Sequence, residues 1–214
     1  MISPRFRILL AGPLALGLAL GACQLPGGGE PPQIYTLSPK STFAADLPRV
    51  EWQLIVEAPI SAASLNTARI VVQRSALQID YFARSNWSDT APLLVQTLLI
   101  ESFENTGKIV AVSREATNLR ADYLLKTELR EFQAEFDGSG PPQVRVRING
   151  KMVRLPERTI IASQTSERVI RAEKSDMASI VEAFDEALGK VLKEQVDWAL
   201  RAPGTTQRTA RPGA

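Results

Sequence analysis

The stretch "DYLLKTELREFQAEFD" at residues 122–137, followed by "GSGPPQ" and by "VRVRINGKMVRL" at 144–155, decides the fold. In the later segment the apolar residues Val144 and Val146 flank Arg145, and this alternation predicts a strand with one buried and one solvated face. The earlier segment alternates at both of its ends, and the Gly/Pro-rich turn between the two is typical of a hairpin. We therefore predict two long antiparallel strands joined by a hairpin.

The segments around this hairpin predict a mixed sheet with two helices. One helix is predicted over 90–106, with Asp89 as N-cap, Pro92 in its first turn and Gly107 after its end. A second, amphipathic helix is predicted from Ser175 or Asp176 as its cap to about Leu200. Further strands are predicted at 34–39, 51–59, 68–73, 77–82, 108–114 and 158–172. This order predicts an α/β fold, a three-layer domain with a mixed, largely antiparallel sheet and helices packed on it.

The composition excludes most catalytic and metal sites. The 214 residues suit one domain of ordinary size, and they contain no histidine and a single cysteine. Histidine is the commonest general base and metal ligand, and one cysteine cannot form an intramolecular disulfide or a Cys-based zinc site. No Gly-rich phosphate loop or nucleophile elbow is present. We therefore predict a protein that is not an enzyme and that has no cofactor and no metal site.

The N-terminus has the pattern of an exported lipoprotein. Arg5 and Arg7 precede an apolar run at 8–20 that is short for a membrane span, as in a secretory signal peptide. The residues "LGAC" that end at Cys23 resemble the lipobox of bacterial lipoproteins. That resemblance implies cleavage between Ala22 and Cys23, a diacylglyceryl group on the Cys23 thiol and an N-acyl chain on its amino group. More than one acyl chain is needed for stable anchoring.

This interpretation of the N-terminus, together with the predicted strands and helices, divides the chain into four parts. Residues 1–22 are the signal peptide that is removed, and 23–33 are the lipidated cysteine with a flexible Gly/Pro-rich tether. A single α/β domain follows over 34–201, and 202–214 are predicted to be a disordered tail. The residue after the cysteine is Gln24 and not Asp. In this respect the chain resembles enterobacterial lipoproteins that are sorted to the outer membrane, and the resemblance implies a domain that faces the periplasm from the inner leaflet.

The charge balance argues against nucleic acid as a partner. The chain carries 25 basic and 23 acidic residues, and removal of Arg5 and Arg7 with the signal peptide leaves 23 of each. Nucleic-acid-binding domains are usually basic, with clustered Lys and Arg.

One aromatic cluster is a candidate contact surface. "YFARSNWSD" places Tyr81, Arg84 and Trp87 in a predicted connection just before a helix, and these residue types dominate interface hot spots. For Trp87, a position in the core is the equally weighted alternative.

Several segments in the same order resemble a known family. They are "YTLSP" after the tether, "SLNTARIVV" at 64–72, "IDYFARSNWSDTAPLLVQTLL" at 79–99, "ADYLLKTELREFQAEF" at 121–136 and the closing "VEAFDEALGKVL". Together with Cys23 they are similar to the ABC-type transport auxiliary lipoproteins, including the PqiC-like partners of MCE-domain lipid transporters. Arg69 lies in one of these segments and is counted with Tyr81, Arg84 and Trp87 as a partner-contact residue.

The resemblance implies a non-enzymatic auxiliary component of an ABC/MCE-type system that moves phospholipids or other hydrophobic compounds across the cell envelope. Its partners would be an MCE-domain protein, the permease and the ATPase of the same system, and a homo-oligomeric ring would suit a tubular partner. The alternative is an outer-membrane lipoprotein that activates a peptidoglycan synthase. Such an activator needs a long disordered linker to reach through the cell wall, and the tether in this chain is short. A substrate-binding lipoprotein of an importer would need two lobes, for which the chain is short.

Overall fold

In the computed structural model, residues 31–75, 77–114 and 121–209 are described, and they form one open sheet and two helices. The elements are, in chain order, β1 (Gln33–Tyr35), β2 (Gln53–Val56), β3 (Ile60–Ser61), β4 (Arg69–Ser75), β5 (Gln78–Trp87), α1 (Ala91–Asn105), β6 (Ala111–Arg114), β7 (Tyr123–Glu135), β8 (Gln143–Arg154), β9 (Thr159–Arg171) and α2 (Met177–Thr209).

Strand β7 organises the sheet. Along one edge it pairs antiparallel with β8, which in turn pairs antiparallel with β9. Along the other edge it pairs in parallel with β2, β3 and β4 in succession. The sheet continues from β2 to β6, and from β4 through β5 to β1. The predicted long hairpin and the mixed, largely antiparallel sheet are confirmed.

Strand β5 is longer and less regular than predicted. It begins at Gln78 and reaches Trp87, so Tyr81, Arg84 and Trp87 lie in a strand and the prediction of a connection there is wrong. The pairing with β4 shifts register between Arg69 and Val71, whose partners are Asn86 and Tyr81. Residues 82–85 therefore bulge out of the ladder, and this break in alternation explains why the sequence pattern is that of a loop.

Both predicted helices are confirmed, with changes at their ends. The N-cap of α1 is Thr90, whereas Asp89 accepts a hydrogen bond from the Thr90 N–H, so the cap prediction is wrong by one residue. Gly107 follows α1 with φ 59°, the left-handed conformation for which glycine is preferred. Of the two predicted cap candidates, Ser175 and Asp176, it is Asp176 that caps α2, because its Oδ1 accepts from the Ser179 N–H at 2.9 Å.

Helix α2 continues beyond the predicted end. It runs through Pro203 to Thr209, and Ala202 and Leu200 are buried. Proline disfavours helix interiors, so the sequence predicts an end near Leu200. Burial of the last turns before Pro203 offsets that cost. Residues 210–214 of the predicted tail lie outside the described residues.

The core lies between the sheet and the two helices. Trp87 from β5, Phe132 from β7 and Phe184 from α2 are buried, and their ring centroids are 5.0–5.5 Å apart. Gln96 of α1 donates to the Val56 carbonyl of β2 at 2.9 Å. Both described helices thus pack on the same face of the sheet and contact each other.

The α/β class is confirmed, and the layering is simpler than expected, since the described helices occupy one face only. Covering the other face would bury the charged side chains that this face presents, and burial of charges is costly. We call this other face the open face.

Gly150 is a packing constraint where α2 crosses β8. A Cβ at this position would lie 2.3 Å from Gln195 Oε1 and 2.9 Å from Trp198 Cζ3. The Gln195 side chain is fully buried and donates to Ser166 Oγ at 3.0 Å, so it cannot move away without losing that bond. We expect Gly150→Ala to lower the free energy of unfolding by about 1–3 kcal/mol, as overpacking does in other cores.

Gly189 provides the matched control. It lies inside α2, and a Cβ there would meet no atom within 4 Å. Gly189→Ala should stabilise the domain by about 0.5–1 kcal/mol, because alanine has the higher helix propensity. Urea unfolding of both variants checks this pair. Equal effects of the two substitutions would show that α2 does not approach β8 as closely as described.

Candidate functional site

The pairing register brings polar side chains together on the open face. Phe132 and Ala134 of β7 are buried towards the helices, so Gln133 and Glu135 project to the other side. The register then aligns one row across four strands, from Tyr81 through Val71 and Gln133 to Arg145. A neighbouring row contains Ile79, Gln73 and Glu135.

Five charged residues, which we call the charged cluster, lie in the centre of the open face: Glu131, Glu135, Arg145, Arg147 and Glu167. Arg145 Nε lies 2.8 Å from Glu135 Oε1 and 3.2 Å from Glu131 Oε2, and its Nη1 lies 2.5 Å from Glu167 Oε1. Arg147 Nη1 lies 3.4 Å from Glu131 Oε1. All five side chains are only 25–37% exposed, so solvent screens them incompletely.

The cluster favours the charged form of Arg145. The hydrogen bond to Glu135, with further support from Glu167, raises the pKa of Arg145 above its ordinary value. Three carboxylates around two guanidinium groups form a network in which each ion has a partner. Its effect is to fix the side chains of β7, β8 and β9 in a rigid, charged surface.

A second group borders the open face on its β4–β5 side. The Arg69 guanidinium carbon lies 3.5 Å from the centroid of the Tyr81 ring, a cation–π contact. The Tyr81 hydroxyl donates to the Ser64 carbonyl at 3.3 Å, which joins the strand to the preceding loop. Arg69 is exposed and Tyr81 is half-buried.

The other two predicted contact residues have different surroundings. Arg84 is exposed in the bulge of β5 with φ 53°, a conformation uncommon for a residue other than glycine. Trp87 is 2% exposed and packs between Phe132 and Phe184. Trp87 thus has the core position that the sequence left open as the alternative. Arg69 and Tyr81 are brought together, whereas Trp87 is directed to the opposite face.

Sequence reasoning did not single out the charged cluster as a unit. The alternation of Arg145 and Arg147 with buried valines placed them on the solvated face, and this was the available signal. Their partners Glu131, Glu135 and Glu167 come from two other strands, and only the register of β7, β8 and β9 brings them within reach.

Two aspartates outside the cluster have lowered pKa values. Hydrogen bonds from Ser139, and then the Arg171 guanidinium, hold the pKa of Asp137 well below its ordinary 3.8. The Ser179 N–H at the start of α2 likewise lowers the pKa of Asp176. Both groups are more acidic in the folded chain than in the unfolded chain, so each contributes stability above about pH 4.

We therefore expect stability to fall as the pH drops below about 4, through the folded pKa values of Asp137 and Asp176. Below about pH 4 the unfolded chain takes up protons on both carboxylates, whereas in the folded chain the hydrogen bonds from Ser139 and from the α2 N-terminus keep them ionised to lower pH. Urea unfolding between about pH 7 and pH 3 measures this slope. Asp137→Asn with Asp176→Asn should flatten it, since asparagine accepts hydrogen bonds but does not titrate; an unchanged slope would contradict the assignment.

The predicted lipid-attachment site lies outside the described residues. Cys23 and the cleavage position at Ala22 precede residue 31, where the description begins. In the described ranges, no group of three or more acidic or sulfur ligands is placed to hold a metal ion. Among the helices of those ranges, none combines the length and the hydropathy that a membrane span requires.

Comparison with known proteins gives a family and a fold. The family described as ABC-type transport auxiliary lipoprotein component matches residues 35–210. An uncharacterized protein of Bradyrhizobium diazoefficiens is 30% identical over 190 residues, which are 87% of this chain and 50% of the relative. The chain thus spans about half the length of this curated relative.

Two solved structures share the fold. A crystal structure of a Xanthomonas campestris protein is 27% identical with a TM-score of 0.78, and the match covers 82% of this chain and 99% of that one. A second crystal structure, of an uncharacterized protein, has a TM-score of 0.56 at 15% identity, over 85% of this chain and 100% of that one. At that identity the second likeness shows the fold alone.

Proposed function

Because the chain belongs to the family of ABC-type transport auxiliary lipoprotein components, we propose that it is the membrane-anchored, non-enzymatic periplasmic component of an ABC/MCE-type system. Such a system would move phospholipids or other hydrophobic compounds across the cell envelope. The observation that carries the proposal is the family match over residues 35–210, which includes the whole described sheet from Tyr35 onward and both helices. This match also confirms the resemblance inferred from the sequence segments.

In this proposal the anchor is Cys23. Its diacylglyceryl and N-acyl chains hold the domain on the inner leaflet of the outer membrane, and the tether that follows lets the domain reach a periplasmic partner. The absence of a Gly-rich phosphate loop in the chain is consistent with an ATPase that belongs to a partner. The permease and the MCE-domain protein are the other expected partners.

We propose that the partner docks against the β4–β5 side of the open face. Arg69 and Tyr81 supply a cation–π pair with an exposed cationic end, and Arg84 is displayed on the adjoining bulge. Arg and Tyr are over-represented where interfaces gain most of their affinity. A β-bulge at such a place re-aims side chains, and bulges are frequent beside functional sites. Trp87 supports this region from the core side.

Affinity purification tests the proposal. The full-length lipidated chain would be isolated from detergent-solubilised membranes, and the proteins recovered with it identified by mass spectrometry. We expect an MCE-domain protein, a permease and an ATPase. Recovery of a peptidoglycan synthase instead, or of no envelope protein at all, would contradict it.

Surface variants make the same experiment specific to the docking region. Arg69→Ala should lower the recovery of the MCE-domain protein while the stability changes by less than about 1 kcal/mol, the value of an exposed cation–π contact. Glu157→Ala, at an exposed turn between β8 and β9, is the matched control and should leave recovery unchanged. Equal recovery from both variants would exclude docking through Arg69.

A further inference from the structure

The hairpin between β4 and β5 exposes apolar side chains at its tip. Leu77 is 99% exposed and Ile79 is 53% exposed. Arg74, on the β4 side of the same hairpin, is exposed, and its guanidinium lies 5.3 Å from the centroid of the Phe136 ring. Turn positions in water favour Gly, Asn, Asp, Ser and Pro, and this hairpin instead presents a fully exposed leucine with an exposed isoleucine two residues later.

Strand β1 enters the sheet from the side of this tip. Strand β1 is parallel to β5, with Gln33 opposite Ser85 and Ile34 opposite Asn86. Strand β5 starts at the hairpin tip, so the start of β1 faces the tip end of the sheet. The chain that links Cys23 to the domain enters it at Pro31, two residues before β1.

The tether is long enough to cover the distance from β1 to the level of the tip. Along β4, six residues separate Arg69, which is opposite Asn86, from Ser75, which is opposite Gln78. Six residues of strand span about 20 Å. Eight residues join Cys23 to Pro31, and a fully extended chain of that length spans about 27 Å at most. A membrane that holds the acyl chains of Cys23 is thus within reach of the hairpin tip.

We propose that the β4–β5 hairpin tip is a membrane contact: Leu77 and Ile79 insert into the surface of the bilayer that holds the acyl chains, with Arg74 at the headgroup level. This inference rests on the proposed lipid anchor. The tether makes the second contact intramolecular, so a pair of apolar side chains is sufficient to hold the tip on the bilayer. The domain then has a fixed orientation, with the hairpin tip at the membrane surface and the opposite end of the sheet towards the periplasm.

Ile160 supplies an internal control for this orientation. It is 56% exposed, close to the value for Ile79, and it lies near the start of β9. Its register partner Val153 is paired in turn with Leu124 at the start of β7, whereas the β4 residue Gln73 pairs with Glu135 at the end of β7. Ile160 therefore lies at the end of the sheet opposite the hairpin tip.

Depth-dependent fluorescence quenching tests the proposal on the full-length, lipidated chain. Because Cys23 is the only cysteine and its thiol would be consumed by acylation, Leu77→Cys and Ile160→Cys each introduce one free thiol for an environment-sensitive fluorophore. Each labelled protein is reconstituted into vesicles of phosphatidylethanolamine and phosphatidylglycerol that contain a lipid-attached quencher. Vesicle flotation and intact mass are recorded on the same samples.

We expect the label at position 77 to shift its emission to the blue and to be quenched several-fold more strongly than the label at position 160. If the protein floats with the vesicles and both labels have the unquenched emission of a fluorophore in water, the proposed tip contact is wrong, although the lipid anchor is supported. If the protein neither carries the acyl mass nor floats, the anchor itself is wrong, and the tip proposal that rests on it is overturned as well.

Discussion

Replacing Trp87 with alanine is expected to lower the free energy of unfolding by about 3–5 kcal/mol, the range for truncating a large aromatic side chain in a core. Trp87 is 2% exposed, and its ring lies 5.5 Å from Phe132 and 5.0 Å from Phe184, centroid to centroid. The substitution removes contacts that join β5, β7 and α2, and the surrounding strands can collapse into the space only in part. A loss of this size is a large fraction of the stability of an ordinary domain.

Trp52→Ala is the matched control for this prediction. Trp52 is half-buried and packs edge-on against Tyr123 at 5.1 Å, so its truncation should cost clearly less. Urea unfolding compares the two variants. If Trp87→Ala left stability unchanged but abolished partner recovery, Trp87 would be a contact residue and its described position in the core would be contradicted.

The second large effect is expected from Cys23→Ala. The substitution removes the thiol to which the diacylglyceryl group would be attached, and each buried methylene contributes about 0.8 kcal/mol to membrane binding. We expect complete loss of incorporated acyl label and disappearance of the protein from the outer-membrane fraction. Metabolic labelling with a clickable fatty acid, followed by fractionation, measures both effects.

A serine variant separates thiol chemistry from side-chain size. Cys23→Ser keeps nearly the same shape and replaces sulfur by a much weaker nucleophile, so it should behave as Cys23→Ala does. The folded domain begins after the tether, and circular dichroism of both variants should match that of the unmodified chain. Retention of the acyl label by either variant would contradict attachment at Cys23.

The regular part of the fold was predictable from the sequence because its signals are local. The alternation in 144–155 needed no knowledge of the partner strands, and the Asp176 cap and the Gly107 stop are set by backbone geometry within one turn. The bulge in β5 and the continuation of α2 through Pro203 depend on tertiary packing. Propensity and periodicity do not contain that information.

In the candidate site, too, the residue types were predictable from the sequence, whereas the contacts between them were not. The residue types of Tyr81 and Arg84 indicated a contact surface, but the stacking of Arg69 on Tyr81 depends on the β4–β5 register, which places Tyr81 opposite Val71, two residues along β4 from Arg69. Trp87, three residues after Arg84, ends in the core because the strand beyond the bulge turns its side chain to the helix face. The side on which a residue lies after a bulge is set by the pairing.

The central claim, that this lipoprotein works with an MCE-domain protein of an ABC-type system, is tested most directly by photo-crosslinking in intact cells. A photoreactive amino acid at position 69 would be compared with one at the exposed position 157. We expect position 69 to form a crosslink to the MCE-domain protein and position 157 to form none. Crosslinks from position 69 to a peptidoglycan synthase, or the same products from both positions, would contradict the account.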